Sequence, residues 1–286
     1  MNLGIGKYLP DCIDNFIDRI FAYKWWKNFK KDRVGNACKI VNYHQNDSMY
    51  KKEIDFLQRH GANYFPYSWA EKRDIWKIKC GGKGEERYVV RKGKKLFLTV
   101  SAYASLAIEQ NPKSPHAYFS ATFFAEPEDC FVDIGAAEGM ISLDIIDIVS
   151  KCILIECDEK WKSKLAKSFE TYKEKTTIIS KFVSNVNDDN NITLDELLKD
   201  VNQPILLKID VEGMEDKVIE GAKEVLSRPN TKVALCTYHK PNDDKKFKNI
   251  LEKYGFKIEF SDGYMAMLNE DEPPYFRKAM IRAKKE

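Results

Sequence analysis

The sequence predicts an α/β fold: a doubly wound, mostly parallel sheet with a mainly helical N-terminal extension and a small β-hairpin. Three observations lead there. From about residue 130, short apolar runs alternate with helical patterns. The runs are mostly apolar, without polar alternation, as in strands covered on both faces. The first run also leads into a turn containing Gly135 and Gly139, immediately before a helix.

Taken in order, residues 11–31 form the first predicted helix, with Ile13, Phe16, Ile17, Ile20 and Phe21 at helical spacing. Residues 49–60 form a second, ended by Gly61. The aromatic stretch Asn63–Trp69 contains Pro66 and reads as irregular. Glu86–Val90 and Leu96–Val100 make a hairpin around Gly93. Residues 101–110 are a helix that stops before Asn111-Pro112. Strands Cys130–Ile134, Cys152–Ile155, Thr177–Val183, Ile205–Asp210 and Val233–Thr237 then alternate with helices Gly139–Val149, Lys160–Tyr172, Thr193–Leu198, Glu215–Leu226 and Asp243–Tyr254. Phe256–Phe260 and Tyr264–Leu268 close a terminal hairpin around Ser261-Asp262-Gly263 and bring the count to seven. The predicted organisation is an extension over 1–112, for acceptor or partner binding, followed by a Rossmann-like domain over 113–286.

Composition narrows the function classes. Of 286 residues, 43% are hydrophobic, enough for a sizeable core. No apolar run approaches the roughly 18 residues of a membrane span; Ile141–Val149 is broken by Asp144 and Asp147. The first residues lack a basic segment followed by an apolar one, so no secretory signal is expected. Seven cysteines without zinc-like spacing point to a reducing cytoplasm. The net charge of +3 conceals a split: residues 1–112 carry 21 Lys+Arg against 12 Asp+Glu, and the remainder is net acidic. This fits two parts facing different partners, and equally a lysine-rich chain solvating itself.

The glycine turn limits the ligand. In open parallel sheets ligands bind beyond the carboxyl ends of the strands. Against the GxGxxG dinucleotide fingerprint, Ala137 and Met140 replace the second and third glycines. Glu138 would face a pyrophosphate with a carboxylate, where a helix start normally welcomes phosphate. S-adenosylmethionine carries a sulfonium and an ammonium and no phosphate, so a loop with Asp133 and Glu138 suits it better. Glu156, ending the second strand, is placed to accept from two ribose hydroxyls. A plain tight turn with Glu138 as a favourable helix-start charge is the alternative.

Three stretches carry a family resemblance: Val132–Gly139 (VDIGAAEG), Leu207–Glu215 (LKIDVEGME) with Val218–Ala222 (VIEGA), and Ser114–Tyr118 (SPHAY). Together they resemble the FkbM-type methyltransferases, S-adenosylmethionine-dependent O-methyltransferases, over roughly residues 86–286. The resemblance implies a cofactor site at Asp133, Gly135, Ala137, Glu138, Gly139 and Glu156, with Ser184 near the adenine. It implies that Tyr118 and His116 close over the methionine end; for His116 a surface position beside Pro115 is the competing reading. The substrate class it implies is a hydroxylated acceptor, a sugar, glycan or related metabolite.

Asp210 ends the fourth strand and His239 follows the fifth, so both should reach the rim near the glycine turn. A hydroxyl is a poor nucleophile until its proton is being removed, and histidine titrates where a neutral-pH base must. His239 is therefore the candidate base, with Asp210 and Glu212 orienting it, positioning the acceptor or binding a divalent metal through Asp210. Glu215 reads as a helix-start acid. Lys208 lies within a strand, where it would pair with an acid. The stretch 21–31 mixes aromatics with lysines. It could rest at the inner face of a membrane, stack a sugar on Trp25 or Trp26, or pack Ile13, Ile17, Phe21 and Trp25 on the core. No nucleic-acid motif accompanies it. A non-catalytic protein of the same fold, or an N-methylating one acting on nucleic acid or protein, is the alternative function. An N-methylating enzyme would carry an Asn/Asp-Pro-Pro-like loop after the fourth strand, and Asp210-Val211-Glu212-Gly213 is not one.

Overall fold

The computed structural model describes residues 13, 15–24, 51, 77–112, 114–267, 274 and 276–285. The expected helix over 49–60, the segment Asn63–Trp69 and residues 25–31 of the basic stretch lie outside the described residues, Lys51 excepted. The chain divides into two compact units, Met1–Ala117 with Asp262–Lys278, and Tyr118–Ser261 with Ala279–Glu286.

In the first unit, residues 15–24 are helical. The apolar side chains at 13, 16 and 21 are exposed, and the buried stripe runs instead through Asp18 and Ala22. Asp18 is buried because it caps the helix Val100–Glu109, accepting from Val100 N at 2.7 Å and from Ser101 Oγ at 3.3 Å. The expected hairpin is present as Tyr88–Arg91 against Lys94–Leu96, turning at Lys92-Gly93 with positive φ at both. Its second strand stops at Leu96, and Val100 already belongs to the helix.

The second unit is built on a seven-stranded sheet. In chain order the strands are β1 (Cys130–Ile134), β2 (Lys151–Ile155), β3 (Thr176–Ile179), β4 (Ile205–Ile209), β5 (Thr231–Cys236), β6 (Lys257–Phe260) and β7 (Met280–Lys284). Their spatial order is β6-β7-β5-β4-β1-β2-β3. All pairings are parallel except those of β7, which runs antiparallel between β5 and β6. β1 and β4 are buried at every position, which explains why they are apolar except for Asp133 and Lys208. The helices are α1 (Met140–Ile145), α2 (Glu159–Ser168), α3 (Leu194–Leu197), α4 (Glu215–Glu220), α5 (Lys223–Ser227) and α6 (Asp243–Lys253). On α6, Phe247 and Leu251 are buried at i, i+4 spacing while its lysines face out.

Several boundaries differ from expectation. Of the strand expected over Tyr264–Leu268, the described residues 264–267 do not pair with β6; Met265–Ala266 pairs with Phe276–Arg277, and β6 pairs with β7. β7 escapes a pattern search because Arg282 interrupts a short run flanked by lysines. In the fold Arg282 is satisfied, donating to Tyr118 O at 3.2 Å and pairing with Glu259 at 2.9 Å. The helix expected over Glu215–Leu226 is two helices separated at Gly221–Ala222. The strand expected over Thr177–Val183 stops at Ile179, and Phe182–Val183 pairs with Asn191–Ile192 instead. Among the described residues, no helix is long and apolar enough to cross a membrane.

Candidate active site

The chain order reverses between β1 and β4, and the loops after these two strands meet there. After β1, Gly135 N and Ala136 N both donate to Ile155 O, at 3.0 and 3.1 Å. Gly135 has φ of 75°, and a Cβ on it would lie 1.9 Å from the carbonyl oxygen of Asp210, so only glycine fits. Gly139 also has positive φ, but its clash is with the side chains of Phe169 and Leu165. It serves helix packing. Ala137 sits in the left-handed region at φ 46°, unusual for a residue with a side chain. Its N–H donates to Glu156 Oε2 at 2.9 Å, while Glu156 Oε1 accepts from Asp158 N at 2.8 Å. The Glu156 carboxylate is thereby fixed at the end of β2, with lone pairs left for hydroxyls.

Beneath this loop lies a buried ion pair. Lys208 on β4 stands opposite Asp133 on β1. Its Nζ is 2.9 Å from Asp133 Oδ1 and donates to Gly135 O at 2.5 Å. Asp133 Oδ2 accepts from Ser142 Oγ at 2.6 Å. Burial disfavours the charged lysine, but Asp133 and Asp210 outweigh it and hold its pKa above the ordinary value. Asp133, at 1% exposed, therefore anchors the loop from below. Glu138 is buried as well.

Beyond β4 and β5 the side chains carry charge. The Tyr118 hydroxyl donates to Asp210 Oδ2. Burial, and then Asp210, push that phenol far above its usual pKa. His239 is 8% exposed. Its Nε2 lies 3.5 Å from Asp210 Oδ1 and 3.6 Å from Glu212 Oε2. Its Nδ1 lies 2.8 Å from Oε1 of Glu215, which is buried at the first position of α4. Burial alone would lower the imidazole pKa; Glu215, Asp210 and Glu212 together raise it. Burial likewise works against ionised Glu215, and the bond to His239 overcomes it and lowers the carboxyl pKa. Glu212 is held at φ 52°, with its side chain 90% exposed. Asp210, Glu212 and His239 each offer one ligand atom within 4.8 Å of the others, a set that could hold a divalent cation.

The geometry thus joins Gly135, Ala137 and Glu156 in one loop system, and Tyr118, Asp210, Glu212 and His239 in another. Ser184 falls in neither: its hydrogen bonds run to Ile192 O at 2.9 Å and Asn185 Oδ1 at 3.3 Å. His116 is buried, not at the surface, and belongs to the first unit, where Gln110 Nε2 is 3.3 Å from its Nδ1. Sequence reasoning missed the contact of Glu215 with His239, because an acid in a first helical turn is ordinary. Lys208 was readable, since a lysine inside a buried strand must find an acid.

Residues 69–258 match the family described as the Methyltransferase FkbM domain. The chain belongs to this family. Among solved structures it is similar to the methyltransferase FkbM from Methylobacillus flagellatus KT. There the identity is 17% and the TM-score 0.47, with 64% of this chain and 53% of that one covered. The chain thus spans about half the length of that relative. It is also similar to a precorrin-6y C5,15-methyltransferase from Geobacter metallireducens GS-15, at 15% identity and a TM-score of 0.39, covering 57% and 82%. An rRNA methylase from Streptococcus thermophilus aligns at 14% identity and a TM-score of 0.37, covering 56% and 88%. No curated protein matches the chain.

Proposed function

We propose that this FkbM-family protein methylates a hydroxyl of a sugar, glycan or related metabolite, using S-adenosylmethionine, with His239 receiving the hydroxyl proton. One observation carries the reading. A half-buried histidine faces two carboxylates at the carboxyl ends of neighbouring strands, beside a glycine loop packed against the same Asp210. The residues present fit the cofactor. Gly135 lets the loop turn tightly against the Asp210 backbone, Glu156 is fixed to accept hydroxyls, and the acidic rim suits a sulfonium and an ammonium. When bound, S-adenosylmethionine supplies an electrophilic methyl group.

The chain's own residues do the rest. Gly135, Ala137 and Glu156 hold the nucleoside. Asp210, fixed by the Tyr118 hydroxyl, and the exposed Glu212 accept hydrogen bonds from the acceptor. His239 takes the proton at Nε2, and the same carboxylates stabilise the imidazolium that results. Alignment of the reactants supplies most of the acceleration.

Calorimetry of the purified protein with S-adenosylmethionine and with NAD, followed by assay of methyl transfer to a panel of hydroxylated acceptors, tests this. Tighter binding of NAD would end it. The close grouping of Asp210, Glu212 and His239 also favours a second reading, in which a divalent cation there helps deprotonate the acceptor. Loss of turnover in EDTA, restored by Mg²⁺ or Mn²⁺, would select it.

A further inference from the structure

Glu215 has a role that its position in a first helical turn conceals. It is 1% exposed, and its Oε1 accepts from Val211 N at 3.1 Å and Gly213 N at 3.3 Å. Those donors flank Glu212, so the carboxylate is tied to the loop that bears one of the rim acids. The same oxygen is 2.8 Å from His239 Nδ1. This is the shortest of the ring's three carboxylate contacts, and an ionised carboxylate can only accept, so a hydrogen on Nδ1 makes it favourable where a bare Nδ1 would set lone pair against lone pair. In a neutral imidazole the other nitrogen is then bare, and here that nitrogen is Nε2, which looks toward Asp210 and Glu212. At 3.5 and 3.6 Å neither contact is a hydrogen bond.

We propose that Glu215 is a positioning residue: it holds His239 with the proton on Nδ1 and the Nε2 lone pair turned to the acceptor. The catalytic consequence rests on His239 being the proton acceptor, whereas the tautomer does not. A base aimed this way is ready before the acceptor arrives, and nothing must rotate as the proton moves. The ring has little freedom, its side chain being 8% exposed and its centroid 4.1 Å from that of Tyr238. The charged groups facing it are Glu215 from α4, Asp210 from the end of β4 and Glu212 from the loop between them. An acid that merely capped α4 would bond the backbone and leave the imidazole alone.

The test is nitrogen NMR of the full chain labelled with ¹⁵N-histidine, with the His239 signals assigned by their loss in His239→Gln. At a pH where the ring is neutral, Nδ1 should be protonated and Nε2 bare. Glu215→Gln should lower kcat roughly ten- to a hundredfold while KM and cofactor affinity hold, and the preference for the Nδ1 proton should weaken. Glu215→Asp should recover part of kcat. A wild-type ring protonated on Nε2, or wild-type kcat in Glu215→Gln, would overturn the proposal. If Glu215→Gln does not fold, the wild-type spectrum alone decides: a proton on Nδ1 supports the proposal and one on Nε2 refutes it. Full turnover in His239→Ala, alongside an Nδ1 proton in the wild type, would remove the base reading and leave the tautomer lock standing.

Discussion

The two halves of the rim are held in opposite ways. On the β1–β2 side, backbone does the work: Gly135, Ala136 and Ala137 donate from the main chain, and the buried Asp133 is neutralised by Lys208. On the β4–β5 side, three carboxylates gather round a single histidine. The first arrangement is a fixed shape, suited to binding. The second concentrates negative charge around one titratable ring, which stabilises that ring once it gains a proton. On the proposed reading, holding and reacting are divided between these two sides.

The division can be broken from either side. The largest effect expected is from His239→Ala, which should lower turnover roughly 10²–10⁴-fold with cofactor affinity nearly intact. Turnover close to wild type with a genuine acceptor would show that the β4–β5 side does not move the proton. On the other side, Lys208→Met leaves Asp133 buried and unpaired, and should cost about 3–5 kcal/mol of stability. Urea denaturation measures it, and an unchanged midpoint would show the pair to be dispensable. Glu156→Ala removes the acceptor of two main-chain N–H groups and, on the proposed reading, of the ribose. Cofactor binding should weaken by about 1–3 kcal/mol, read by calorimetry, with the acid–base behaviour of the rate unaltered.

A smaller effect sharpens the contrast through pH. The folded state raises the His239 pKa, so the imidazolium contributes stability that is complete below about 6.5 and lost as pH rises through the folded value. A base must be neutral, so turnover should rise across that same window. Stability falling while rate rises, with both trends absent in His239→Ala, is the expected signature; parallel trends would contradict it. Glu215 acts in the opposite sense. Its lowered pKa contributes stability above the unfolded value of about 4.5, lost as pH falls through the folded one.

Legibility in the sequence followed the physics of each element. β1, β2, β4 and β5 could be read because strands buried on both faces are mostly apolar, their rare charges paired as Asp133 is with Lys208. The glycine turn was readable because Gly135 fills a backbone requirement that no other residue meets. β7 was not, since its Arg282 looks like a break until Glu259 and the Tyr118 carbonyl are seen beside it. The mistaken hairpin followed from that, as Ser261-Asp262-Gly263 has the chemistry of a tight turn but β6 already had a partner. At the site, Asp210 and His239 were legible from their places at strand ends. Glu215 was not, because its distinguishing contact is made across the fold to a residue 24 positions further on.

The placement of β7 also bears on how the sheet is assembled. The final described strand lies inside the sheet, between β5 and β6. Until it is made, β6 has nothing in the sheet to pair with, and β5 presents a bare edge of unpaired backbone groups with Val233, Ala234, Leu235 and Cys236 alongside. Synthesis from the ribosome therefore passes through a stage in which five strands can associate while an apolar edge stays open. Such an edge is what neighbouring nascent chains capture. Insertion of residues 280–284 is the event that closes it, so a chain truncated before Met280 should aggregate rather than merely lose two strands.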